Sequence, residues 1–85
     1  MPDIKVLFFA KAREVAGLSE EAVHLQEDAA HTEALVALLV QRFPSLSSVL
    51  QTCVLAVNQE YVQLKDKVPL KQGDEVAIIP PLSGG

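Results

Sequence analysis

The sequence predicts an α+β domain in which one mixed sheet packs on one main helix. Alternating β-rich runs open and close the chain, Ile4 to Ala10 and Glu75 to Ile79, and both read as strands. Between them Leu35, Leu38, Leu39 and Phe43 recur at helical spacing and mark the helix. Strand-like runs also lie before and after it, giving the order strand, strand, helix, short strands, strand. A chain of 85 residues is long enough for a single core that buries roughly 60% of the unfolded surface.

In the first strand, alternation puts Ile4, Val6 and Phe8 on one face and Lys5, Leu7 and Phe9 on the other, with Lys5 marking the wetter side. Lys11 to Ala16 predicts a helical turn closed by Gly17, the residue that adopts a left-handed C-terminal position without a Cβ clash. Glu21 to Gln26 alternates as a half-buried strand. Asp28 to Thr32 leads into the main helix, with His31 or Thr32 as N-cap and Glu33 in the first turn, where its charge suits the dipole. Burying the four large apolar side chains is worth about 6 to 12 kcal/mol before entropy, so this helix must cover a sheet. Pro44 stops it, and Leu46, Val49 and Leu50 predict a short second helical segment.

Cys53 to Val57 and Tyr61 to Leu64 predict short strands joined across Asn58-Gln59-Glu60. Lys65 to Leu70 reads as a charged irregular connection, Gln72-Gly73-Asp74 as a turn, and Glu75 to Ile79 as the last strand. There Val76 and Ile78 face one way, while Glu75, Ala77 and Ile79 face the other. If first and last strands are neighbours, Leu7, Phe9, Ala77 and Ile79 make an apolar patch on the side away from the helix. Contiguous exposed apolar surface of this kind marks a partner site.

The formal charge of −4 argues against nucleic acid or an anionic membrane as partner, since both require clustered Lys and Arg. A single cysteine, Cys53, cannot form an internal disulfide and fits a reducing compartment. Met1-Pro2-Asp3 leads straight into a strand, and no apolar run reaches membrane-spanning length, so the expected location is the cytoplasm. His24, His31 and Cys53 do not make a metal site, and the acidic residues lack a catalytic pairing. Cys53 reads as a buried structural thiol.

The last residues are Pro80, Pro81, Leu82, Ser83, Gly84 and Gly85. The two prolines fix φ and remove two donors, so the chain leaves the sheet extended. Gly84 and Gly85 carry no Cβ and can enter a channel too narrow for other residues. The expected reactive group is the α-carboxylate of Gly85. Residues 1–79 are expected to form the domain and residues 80–85 its tail.

Three blocks resemble the small, sulfur-carrying subunits of molybdopterin synthase, which are ubiquitin-like β-grasp proteins. They are Val6-Leu7-Phe8-Phe9-Ala10-Lys11-Ala12-Arg13-Glu14, Ala56-Val57-Asn58-Gln59-Glu60-Tyr61-Val62, and the terminal block from Gly73-Asp74-Glu75 through Pro80-Pro81 to Gly84-Gly85. The resemblance implies a β-grasp fold with adjacent, parallel first and last strands. It implies that Phe9, Tyr61 and Ile79, with Leu7 and Ala77 beside them, lie against a large catalytic subunit in a heterotetramer of two small and two large subunits. An ATP-dependent activating enzyme is implied to convert Gly85 to an acyl-adenylate and then a thiocarboxylate. That sulfur then reaches a pterin precursor in the large subunit, with Pro80 to Gly84 as the inserted tether and two carriers consumed per dithiolene.

The resemblance thus implies a non-catalytic, sulfur-donating subunit with no bound cofactor. The competing readings are a β-grasp sulfur carrier for thiamine synthesis or tRNA thiolation, a ubiquitin-like modifier that forms isopeptides, and an interaction module whose tail is inert.

Overall fold

The pairing of the first strand with the last sets the rest of the architecture. In the computed structural model, residues 2–63 and 65–80 are described. The elements are β1 (Asp3–Phe8), α1 (Ala10–Ala16), β2 (Glu20–His24), a 3-10 turn (Glu27–Ala29), α2 (Thr32–Arg42), α3 (Leu46–Leu50), β3 (Val54–Val57), β4 (Glu60–Val62) and β5 (Glu75–Ile79). The sheet order is β2-β1-β5-β3-β4. β1 and β5 run parallel, with Lys5 opposite Glu75 and Leu7 opposite Ala77. The other pairs are antiparallel, so β5 is central and bonded on both sides.

The inner sheet face forms the core against the helices. Ile4, Val6 and Phe8 from β1, Val76 and Ile78 from β5, Leu35 and Leu39 from α2, and Leu46 from α3 are all essentially inaccessible to water. This is the face predicted by alternation. Leu38 and Phe43, expected to be buried with Leu35 and Leu39, are only half-buried. Phe43 still meets Phe8 edge to face at 5.8 Å between centroids.

β1 ends at Phe8, earlier than its apolar run. Ala10 takes a φ of 49° and turns the chain into α1. Phe9 is the N-cap: its carbonyl accepts from Ala12 N–H at 3.0 Å, while its own N–H donates to the Ile78 carbonyl at 3.3 Å. Gly17 closes α1 with φ 81°, as expected from its missing Cβ.

His31 caps α2, its Nδ1 accepting the Ala34 N–H at 3.1 Å. Thr32 next to it is fully buried. Its hydroxyl donates to the Asp66 carbonyl at 2.8 Å and accepts from Val68 N–H at 3.1 Å, tying the irregular connection to the helix start. Leu70, in that same connection, is a core residue, held by a bond from its N–H to the Ala30 carbonyl at 2.8 Å. At the other end of α2, Arg42 reaches Glu21 of β2 at 3.2 Å.

Candidate docking face and tail anchor

The outer sheet face, turned away from the helices, carries a row of residues that runs across β1, β5, β3 and β4. Register places Leu7 opposite Ala77, Ala77 opposite Ala56, and Ala56 opposite Tyr61. These residues, with Phe9, Gln59, Glu75 and Ile79, line a shallow depression of about 340 Å³. Phe9 is 46% exposed and Tyr61 74%, large apolar surfaces for a domain with few aromatics. Val54, opposite Ile79, is 44% exposed and extends the apolar strip. Toward the start of β1 the same face turns charged, with Lys5 and Glu20 paired at 3.8 Å.

All five sequence-predicted face residues, Leu7, Phe9, Tyr61, Ala77 and Ile79, therefore meet in one depression. Ala77 is nearly covered by its flanking strands, and Leu7 and Ile79 are half-buried. Ala56, Gln59 and Val54 were not singled out beforehand. Their place on this face follows from the pairing of β3 with β5, a non-local register that no local pattern carries.

β5 runs straight into Pro80, which is buried in a cleft beside Lys11 of α1, Val49 of α3 and Thr52 just beyond that helix. Pro80 is thus held by the domain body, although the sequence places it in the tail. Pro81, Leu82, Ser83, Gly84 and Gly85 lie outside the described residues, as does Leu64 at the expected end of the fourth strand.

A polar clasp fixes the edge of the depression. Asn58 and Gln59 form the two-residue β3–β4 turn, with φ of 50° and 72°. Two positive φ values in a two-residue hairpin describe a type I′ turn. The Asn58 side chain donates to Asp74 Oδ1 at 2.9 Å and accepts the Glu75 N–H at 3.0 Å, and the Asn58 N–H donates to the Glu75 carbonyl at 2.8 Å. Asp74 Oδ2 also accepts from Lys71 N–H at 2.8 Å. Burial pushes the Asp74 carboxyl up, but the bonds from Asn58 and Lys71 and the Lys71 charge outweigh it and hold the pKa below its ordinary value.

The remaining candidates do not converge. Cys53 is buried, and desolvation raises its pKa, which keeps the thiol protonated and unreactive. His24 faces Asp3 on the sheet edge, and His31 is committed to the α2 cap. Among the described residues no group of three His, Cys, Asp or Glu side chains could hold a metal ion. Nor is any helix among them long and apolar enough to cross a membrane.

The five-strand mixed sheet with a parallel terminal pair, covered on one face by helices, defines a ubiquitin-like β-grasp protein. The ThiS family pattern matches residues 6–85, and the chain belongs to that family. It is 62% identical over 82 residues to the molybdopterin synthase sulfur carrier subunit of Chlamydomonas reinhardtii, covering 96% of this chain and 98% of that one. The fold is similar to small archaeal modifier protein 1 of Methanosarcina acetivorans, with a TM-score of 0.82, 25% identity, and coverage of 100% of this chain and 98% of that one. It is also similar to a chain of the complex of subunits 1 and 2 of molybdopterin-converting factor from Helicobacter pylori, with a TM-score of 0.69 and 25% identity, covering 98% of this chain and 99% of that one.

Proposed function

We propose that this chain is the sulfur carrier subunit of a molybdopterin synthase, with Gly85 as the carrying residue. The observation that supports this best is a juxtaposition: the central strand leads through the anchored Pro80 toward Gly-Gly, beside an exposed apolar depression on the outer sheet face. Its likeness to the Chlamydomonas reinhardtii carrier supports molybdopterin synthesis as the pathway.

The chemistry follows from the carboxylate. Ionised at neutral pH, it is a poor electrophile, so an activating enzyme first joins it to AMP from ATP with release of pyrophosphate. Hydrosulfide-level sulfur then attacks the acyl carbon, the bond to AMP breaks, AMP leaves, and a thiocarboxylate remains. The anchored chain delivers that sulfur to the pterin precursor in the large subunit, where tethering raises its effective concentration. Hydrolysis of the acyl link returns the Gly85 carboxylate. The chain itself supplies no catalytic group and binds no cofactor; ATP belongs to the activating enzyme.

In this reading the depression formed by Leu7, Phe9, Tyr61, Ala77 and Ile79 docks on the large subunit of a heterotetramer, Pro80 marks the anchored base, and Pro81 to Gly84 form the tether. A cytoplasmic location suits the single protonated thiol of Cys53. The likeness to small archaeal modifier protein 1 favours a second reading, conjugation of Gly85 to lysines of other proteins.

Intact mass with fragment localisation tests both, after incubation with the activating enzyme, ATP and a sulfur donor. Localisation is essential because oxygen added to Met1 or Cys53 weighs nearly the same as sulfur replacing oxygen. Sulfur at Gly85, consumed on adding large subunit and precursor, is the expected result. An unchanged Gly85 with a competent enzyme would overturn the carrier reading, and lysine conjugates would establish the modifier.

A further inference from the structure

Glu75 sits in the docking depression with its main chain locked and its carboxylate uncommitted. Its N–H and carbonyl are both bonded to Asn58, so the side chain projects from a fixed point on the central strand. The residue is half-buried, and its carboxylate makes no hydrogen bond or ion pair among the described residues. Lys5 is its register partner on β1, but the Lys5 ammonium lies 3.8 Å from Glu20 Oε1. Of the two carboxylates near this ammonium, Glu20 holds it and Glu75 is the one left over inside the depression.

A partner that covers the depression removes water from this carboxylate. An apolar surface laid over it would strand a buried charge, and an acidic one would repel it. We infer that the docking partner presents an arginine or lysine side chain to Glu75, beside the apolar contacts made by Phe9, Tyr61 and Ile79. The inference rests on the reading of this face as the docking surface. An arginine fits best, since its planar fork can bond both carboxylate oxygens and its weak hydration suits a partly apolar site. Glu75 then acts as a specificity residue, rejecting apolar surfaces that lack the matching cation.

The test is calorimetric titration of the full chain into the large subunit at low and high NaCl. Glu75→Gln keeps both backbone bonds to Asn58 and is expected to weaken association about tenfold or more and flatten its salt dependence. Lys5→Met removes the competing ammonium and is expected to tighten association several-fold and steepen the salt dependence. Wild-type affinity and salt slope in Glu75→Gln, with Phe9→Ala weakened, would overturn the inference while leaving the docking face intact. Unchanged affinity in both Phe9→Ala and Tyr61→Ala would overturn the docking face itself. Should Glu75→Gln lose its fold, Lys5→Met still decides: affinity equal to or below wild type counts against a partner cation.

Discussion

Asp74 and Thr32 hold the irregular stretch between β4 and β5 in place, and each does so through polar atoms that are shielded from water. Replacing Asp74 with Ala leaves Asn58 Nδ2 and the Lys71 N–H without their acceptor and is expected to cost about 1–3 kcal/mol in denaturant unfolding at pH 7. Because the folded-state pKa of Asp74 is depressed, its contribution is complete above the ordinary aspartate range near about pH 4. It is lost as pH falls through the lower folded value. Unfolding measured at pH 7 and at about pH 3 should therefore show a smaller acid loss for Asp74→Asn than for the wild type. Thr32→Val, which keeps the shape but removes the hydroxyl, is expected to cost about 0.5–1.5 kcal/mol, since the Asp66 carbonyl and Val68 N–H lose their partner. Neither role could be read from the sequence. The bonds span 16 residues for Asp74 to Asn58 and 34 to 36 for Thr32, so a turn aspartate and a cap candidate look ordinary until the chain is folded.

At the scale of elements, legibility followed periodicity. β5 coincides with its alternating run from Glu75 to Ile79, α2 starts after His31, one of its two candidate caps, and stops before Pro44, and Gly17 ends α1 as its missing Cβ suggested. Failures came where backbone strain or long-range contact decided. The apolar run of β1 continues past Phe8, but the positive φ at Ala10 diverts it into a helix. Leu70 looks like loop sequence and is core, because the connection folds back over the start of α2. The β3–β4 turn was recognisable as a hairpin, but its second position carries Gln59 where glycine suits a φ of 72°. Gln59→Gly is expected to stabilise the domain by about 0.5–1 kcal/mol, measured as a raised denaturant midpoint with unchanged slope. A fall in the midpoint would mean that Gln59 makes compensating contacts across the depression.

For the whole molecule, the core among the described residues reaches to Ile78, with Pro80 buried just beyond it, so loss of Gly84 and Gly85 is expected to separate folding from function. The truncated chain is expected to unfold within about 0.5 kcal/mol of the full one and to accept no sulfur in the mass assay. A large drop in stability would place the last residues in the structural core and count against their role as a carrier arm. Leu7, Phe9, Ala77 and Ile79 were legible because alternation assigns them a side, and Tyr61 only through the family resemblance, yet their union into one surface required β1 beside β5 and β5 beside β3. The family resemblance implies the first of these neighbours, while the second is legible in neither resemblance nor periodicity, which fixes faces but not neighbours.

The placement of β5 also decides how the molecule bears a mechanical load. A pull on the carboxyl end is transmitted along β5, whose two flanks are joined to β1 and β3. Because the pull runs lengthwise, bonds on both flanks are strained together in shear and cannot be opened one after another from an end. A load entering through Pro80 is therefore shared by both flanks of β5, and the domain body withstands it better than it would if the last strand lay at the sheet edge.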